Sequence, residues 1–220
     1  MSRFHGKVWR TGFEMRILFA RHGESRANIL HQISNRGLKH PLTPNGREQA
    51  HALARKLQDA AITRIYTSPV LRAIESTVIL ADHLGVEYEV TEALREYDLG
   101  ELEGRSDEQT WALWQELFDD WTQHQNWSRR IPEGENFHQV RARFVPFVDE
   151  LLRQYRRTGA NILCIGHGGL LWVMLPQVLT NIDTEFILQH PTLDYTSLIV
   201  SELRPGGLVC LEWNGIRVDG

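Results

Sequence analysis

Short apolar runs alternate with segments of helical periodicity along this chain, and two of the runs end in His-Gly. Ile17-Leu18-Phe19-Ala20 leads into Arg21-His22-Gly23, and Asn161-Ile162-Leu163-Cys164-Ile165 leads into Gly166-His167-Gly168-Gly169. Continuous apolar runs of this length read as strands buried on both faces, the pattern of a parallel sheet covered by helices. Thr43-Pro44 predicts a helix start, with threonine as the cap and proline in the first turn, and Ala50, Leu53, Ala54 and Leu57 follow as its buried stripe. Ile62 to Thr67 reads as a strand, and Ser68-Pro69 as a second capped start whose helix buries Leu71, Ile74 and Val78. Residues 87–97 read as extended. A long helix is expected from Phe137 to about Arg157 and another through 170–180, with strands near 195–203 and 207–213. Together these predict an α/β fold, a three-layer α/β/α sandwich around a mostly parallel sheet.

Trp111, Trp114, Phe118 and Trp121, spaced three, four and three apart, fall on one helical face. That face reads first as core. The functional alternative is a wall or lid over a pocket, where an aromatic surface would favour a larger, partly apolar ligand.

At roughly 100–200 residues per domain, 220 residues predict one domain, here over residues 15–220, with 1–14 as a flexible N-terminal extension. The charge sum, 24 − 28 = −4, argues against a broad nucleic-acid surface. Cys164 and Cys210 both lie in apolar runs and read as buried thiols of a reducing compartment. No run approaches the ~18 apolar residues of a membrane span, and Met1–Glu14 lacks the apolar stretch of a signal peptide. The expectation is a cytoplasmic protein with a small-molecule partner, neither nucleic acid nor membrane, its oligomeric state open.

In open α/β sheets ligands bind at the carboxyl ends of strands, which is where both histidines fall. The block Leu18-Phe19-Ala20-Arg21-His22-Gly23-Glu24-Ser25 resembles the signature of the histidine phosphatase superfamily, the phosphoglycerate mutase-like group. Further blocks follow in the family's order: Leu42-Thr43-Pro44-Asn45-Gly46-Arg47-Glu48-Gln49-Ala50, Ser68-Pro69-Val70-Leu71-Arg72-Ala73, Leu94-Arg95-Glu96 with Gly100-Glu101-Leu102-Glu103-Gly104, and Ile165-Gly166-His167-Gly168-Gly169. Gly166 departs from the pattern, because many members have serine or threonine there. The resemblance runs from about residue 16 to 203.

Arginine suits a phosphomonoester dianion, since its planar fork gives bidentate hydrogen bonds to phosphate. The resemblance implies that Arg21 and Arg72 bind the phosphoryl group, that His22 attacks phosphorus as a neutral imidazole, and that Glu96 protonates the leaving alcohol and later takes a proton from water. It implies that His167, best protonated, stabilises the transition state, and that Asn28 contacts phosphate. Ser34 resembles a position bordering the pocket in mutase-type members. Glu92, Glu101 and Glu103 compete with Glu96 on residue type alone. His22, His167 and Glu96 would make three metal ligands on paper, but two arginines disfavour a divalent ion beside them. No metal or other cofactor is therefore expected.

The bisphosphoglycerate-dependent mutases of the family carry a lysine about eleven residues beyond the catalytic glutamate and a tyrosine three beyond it. Here those positions hold Asp107 and Leu99. Pro132-Glu133-Gly134-Glu135-Asn136 resembles the P-x-G-E block of phosphatase members. The resemblance thus implies first a cofactor-independent phosphomonoester hydrolase. A bisphosphoglycerate-dependent mutase is the alternative, and a non-catalytic phosphate-binding module the third reading.

Overall fold

Both faces of the central strands are apolar, and each face collects its own layer of helices. The computed structural model describes residues 14–190 and 193–218; apart from Glu14, the extension expected over 1–14 lies outside them. In chain order the elements are β1 (Arg16–Arg21), α1 (Arg26–Ile29), α2 (Pro44–Leu57), β2 (Ile62–Thr67), α3 (Leu71–Leu84), β3 (Tyr88–Val90), α4 (Glu108–Thr122), α5 (Phe137–Tyr155), β4 (Asn161–Gly166), α6 (Gly168–Met174), α7 (Thr184–Gln189), β5 (Leu198–Arg204), β6 (Gly207–Trp213) and β7 (Ile216–Arg217). Leu18, Ala20, Ile65, Leu163 and Ile165 pack with Leu53, Ala54 and Leu57 of α2 and Ala73 and Leu80 of α3. Their neighbours Ile17, Phe19, Ile162 and Cys164 pack on the other side with Phe118 of α4, Val140, Phe144 and Val148 of α5 and Leu170 and Leu171 of α6. The alternation is the period of a strand, and it yields the three layers.

The sheet runs β3-β2-β4-β1-β5-β6-β7. Its first four strands are parallel, and the last three add antiparallel pairings. The parallel part is thus smaller than expected. Only Pro205-Gly206 separates β5 from β6, which is room for a hairpin and not for a crossover helix.

Thr43 caps α2 as predicted, its Oγ1 accepting from the Gly46 amide at 2.9 Å. Three expectations are corrected. Helix α3 starts at Leu71, with Val70 in the cap position making no side-chain cap, so Ser68 is not its cap. Its buried side is Arg72, Ala73, Ser76, Thr77 and Leu80, while Leu71 and Ile74 are half-buried and Val78 is exposed. Small side chains let α3 lie close on the sheet, and Ser76 satisfies its hydroxyl locally by donating to the Arg72 carbonyl at 2.8 Å. Finally, α6 ends at Met174 and passes into one 3-10 turn, Leu175–Gln177, because Pro176 cannot continue the hydrogen-bond ladder.

Candidate active site

Strand register alone brings the two histidines together. β1 and β4 are parallel neighbours whose last matched pair is Arg21 with Gly166, so His22 and His167 leave the sheet side by side. β2 lies on the far side of β4 with Thr67 matched to Ile165, which adds Ser68 to the same edge. Arg72 arrives from the first turn of α3, buried to 6% exposure.

The Arg72 guanidinium is the hub. Its Nε donates to His22 Nε2 at 2.9 Å, its Nη1 to the Ser34 carbonyl at 2.5 Å and its Nη2 to His167 Nδ1 at 3.1 Å. Arginine only donates, so both imidazole nitrogens accept and the tautomers follow. His22 then carries its proton on Nδ1, which donates to the Gly23 carbonyl at 2.6 Å. His167 carries its proton on Nε2, which donates to Ser68 Oγ at 2.7 Å. The two rings stand 5.0 Å apart between centroids, edge to face.

Burial, reinforced by the charges of Arg72 and Arg21, holds the pKa of His22 well below the ordinary histidine value. Burial first and then Arg72 do the same to His167. Burial and the guanidinium charges thus favour the neutral form of both imidazoles. Burial also brings the Arg72 pKa down to about 10, leaving it cationic at neutral pH.

Arg21 reaches the site from the end of β1. Its Nη1 donates to the Leu193 carbonyl at 2.6 Å, and its guanidinium lies 4.4 Å over the Tyr195 ring. Its Nε is buried with no acceptor among the described residues. A buried cationic donor without a partner is costly, and a phosphoryl oxygen is the acceptor such a group suits.

Glu96 keeps one side open to the cavity while protein surrounds the rest of its carboxylate. Oε2 accepts from the Gly169 amide at 3.0 Å and Oε1 from the Tyr97 amide at 3.1 Å. Burial outweighs these bonds and raises its pKa, so it can hold a proton at higher pH than a solvated glutamate. Gly169 makes this approach possible: a Cβ there would lie 2.8 Å from Tyr97 Cε1 and 2.9 Å from Glu96 Oε2. Glu92 and Glu101 are exposed, and Glu103 is occupied elsewhere, its Oε2 accepting from the Asn35 amide at 2.8 Å.

These groups open into a cavity of about 280 Å³ lined by Arg21, His22, Asn28, Ser34, Arg72 and Glu96 on its polar side. Asn28 turns its Oδ1 to Ser25, accepting from the backbone amide at 3.0 Å and from Oγ at 2.8 Å. His167 sits just behind, reached through Arg72. Leu99 lines the cavity; Asp107 does not, since it caps α4 by accepting from the Thr110 amide at 3.0 Å. Among the described residues no group of three or more His, Cys, Asp or Glu side chains is arranged to hold a metal ion.

The opposite wall is Trp111, Trp114, Trp172, Tyr97 and Leu99. The aromatic face of α4 thus divides: Phe118 and Trp121 are core, and Trp111 and Trp114 are half-buried at the cavity. Sequence reasoning did not find Ser68, Trp172 or Tyr195. Ser68 sits in a quoted block but was read as a helix cap, and neither aromatic carries a local signal for where it ends up.

Residues 17–216 match the histidine phosphatase superfamily, branch 1. The chain belongs to that family. A Yersinia enterocolitica protein named "Probable phosphoglycerate mutase GpmB" is 30% identical over 168 residues, 75% of each chain. The human 6-phosphofructo-2-kinase/fructose-2,6-bisphosphatase 1 is 32% identical over 171 residues, 77% of this chain and 34% of that one. Among solved structures, Bacillus stearothermophilus YhfR superposes with a TM-score of 0.77 at 25% identity, covering 93% of this chain and 98% of the other. A mycobacterial glucosyl-3-phosphoglycerate phosphatase superposes with a TM-score of 0.77 at 23% identity, covering 92% and 100%, and shows the shared fold. Members of this superfamily are phosphatases or mutases, so the chain is an enzyme of phosphoryl transfer.

Proposed function

We propose that the chain is a cofactor-independent phosphomonoester hydrolase working through a phosphohistidine on His22. The observation that carries this reading is the hydrogen bonding of His22. Its Nδ1 proton is committed to the Gly23 carbonyl, so the lone pair of a neutral imidazole is on Nε2, at the cavity end beside Arg72. Neutrality at working pH is what a nitrogen nucleophile needs.

A bound phosphoryl group takes over donors of Arg72 and the unpaired Nε of Arg21, releasing His22 Nε2 to attack. The N–P bond forms as the ester P–O bond breaks, and the proton of the Glu96 carboxyl passes to the departing alkoxide. Water then attacks phosphorus, its proton returns to the Glu96 carboxylate, and the P–N bond breaks to release phosphate. Acid–base assistance of this kind supplies roughly 10²–10⁴-fold in rate. His167 and Arg72 provide donors for the oxygens that gain charge in the transition state. A phosphate dianion beside His167 favours its protonated form, which adds a further donor to those oxygens. Asn28 borders the same oxygens.

The 30% identical relative supports mutase activity as the second reading. Against it, no lysine lines the cavity among the described residues, and Leu99 stands where the mutases carry tyrosine. The buried, unpaired thiols of Cys164 and Cys210 fit work in a reducing, cytoplasmic setting.

The test is phosphate release from p-nitrophenyl phosphate in EDTA. The wild type is expected to be active and His22→Ala to lose the activity, with Glu96→Gln down by 10²-fold or more on alkyl esters. Wild-type silence together with phosphoglycerate isomerisation primed by bisphosphoglycerate would favour the mutase instead. Silence in both assays would leave a binding module.

A further inference from the structure

The two ends of the cavity differ in kind. Both cations that line it, Arg21 and Arg72, belong to the phosphoryl end. The leaving oxygen must lie next to Glu96, and the cavity that Glu96 lines carries Tyr97, Trp111, Trp114 and Trp172 as well. Tyr97 follows it in the chain, and the Tyr97 hydroxyl accepts from Trp114 Nε1 at 2.8 Å. From there the rings form one continuous run. Trp111 meets Trp114 edge to face at 5.9 Å, Trp114 stacks on Phe118 at 5.6 Å, and Phe118 stacks on Trp172 at 4.5 Å.

Most polar groups of this wall are spent on protein, while Trp172 Nε1 is buried with no partner among the described residues. Trp111 Nε1 donates to the His31 carbonyl at 3.0 Å, the Asn35 side-chain amide donates to the Tyr97 carbonyl at 2.8 Å, and the Gln32 amide donates to the Gly104 carbonyl. Trp111 and Trp114 are each only half-buried, so apolar surface remains for an occupant to cover, which is where binding free energy is available.

We infer that the natural substrates are monoesters of uncharged alcohols with a flat or bulky apolar body, which lies on Trp111, Trp114 and Trp172. This rests on the hydrolase reading above. A substrate carrying a carboxylate beside its ester would place a second anion against Glu96 and the aromatic rings, where the described residues supply no cation beyond Arg21 and Arg72. Such a substrate binds poorly.

The test compares kcat/KM within pairs of matched leaving groups: 1-naphthyl against phenyl phosphate, and 2-phenylethyl phosphate against 3-phosphoglycerate. The wild type is expected to favour the first of each pair, the naphthyl ester on the order of tenfold and the phenylethyl ester by more. Trp111→Ala is expected to abolish most of the naphthyl preference through KM, with a circular dichroism spectrum and thermal midpoint like those of the wild type as the check on folding. Trp127→Ala, an exposed tryptophan outside the cavity, leaves both ratios unchanged. A naphthyl-to-phenyl ratio near one, a preference for 3-phosphoglycerate, or an unchanged ratio in a Trp111→Ala enzyme that still turns over phenyl phosphate would overturn the inference. If no ester is hydrolysed, the hydrolase reading fails first. Calorimetric binding of 1-naphthyl and phenyl phosphate then decides the inference separately: tighter naphthyl binding supports it, and equal affinity overturns it.

Discussion

Neutral imidazoles buried beside two guanidinium groups make the stability of this fold depend on pH through His22 and His167. Both have folded-state pKa values depressed by burial and by Arg72, whereas in the unfolded chain a histidine titrates near 6.5. Below that pH the unfolded state binds protons that the native state refuses, so stability is complete above the unfolded value and is lost as pH falls. While the folded ring stays neutral, lowering the pH from 6.5 to 5.5 costs RT ln(11/2), about 1 kcal/mol per histidine. Glu96 works in the opposite sense, since its raised pKa makes the native state the better proton binder above the ordinary glutamate value. The clean measurement is therefore a difference between proteins that share Glu96. Urea melts of wild type and His22→Asn in phosphate-free buffer, at pH 5.5, 6.0, 6.5 and 7.5, isolate the His22 contribution. Over the unit below 6.5 the wild type should lose about 1 kcal/mol more than the variant. That is about 0.5 M in urea midpoint at a slope of roughly 2 kcal/mol/M. Midpoints that fall in parallel would show that His22 takes up its proton equally in both states. That result would refute the neutral-nucleophile argument.

Further outcomes follow from the same geometry. Gly169→Ala should fold but lose activity by 10-fold or more in a phosphatase assay, because its Cβ would press on the Glu96 carboxylate. Gly166→Ala should leave activity and thermal midpoint nearly unchanged, since its nearest neighbour would be the Leu94 carbonyl at an ordinary 3.5 Å. Ser68→Ala removes the acceptor of the buried His167 Nε2 proton and should cost about 1–3 kcal/mol in chemical denaturation. Ser68→Thr, which keeps the hydroxyl, should recover part of that loss.

Much of the active centre was legible before any coordinates, because its parts lie at positions that local chemistry marks. Apolar runs ending in Arg-His-Gly and Gly-His-Gly announce strands whose carboxyl ends carry reactive groups, and Thr43-Pro44 announces a helix start through capping that involves only neighbours in the chain. Helix α3 departs from its apolar periodicity because its buried side carries Arg72, Ser76 and Thr77 beside Ala73 and Leu80, and a stripe of apolar residues cannot report a face that is partly polar.

By itself, then, the sequence determined the alternation of strands and helices, the family blocks and the choice of Arg21, His22, Arg72, Glu96 and His167 as candidate site residues, all of which depend on residue type and near neighbours. Tertiary structure alone decided the rest. Parallel register set His22 beside His167 across 145 residues of chain, and Arg72 fixed both tautomers by donating to the two rings at once. Packing drew Trp172 of α6 against Phe118 of α4 to complete the aromatic wall of the cavity. Hydrogen-bond direction, burial and ring stacking arise between segments remote in sequence, so they exist only once the chain has closed on itself.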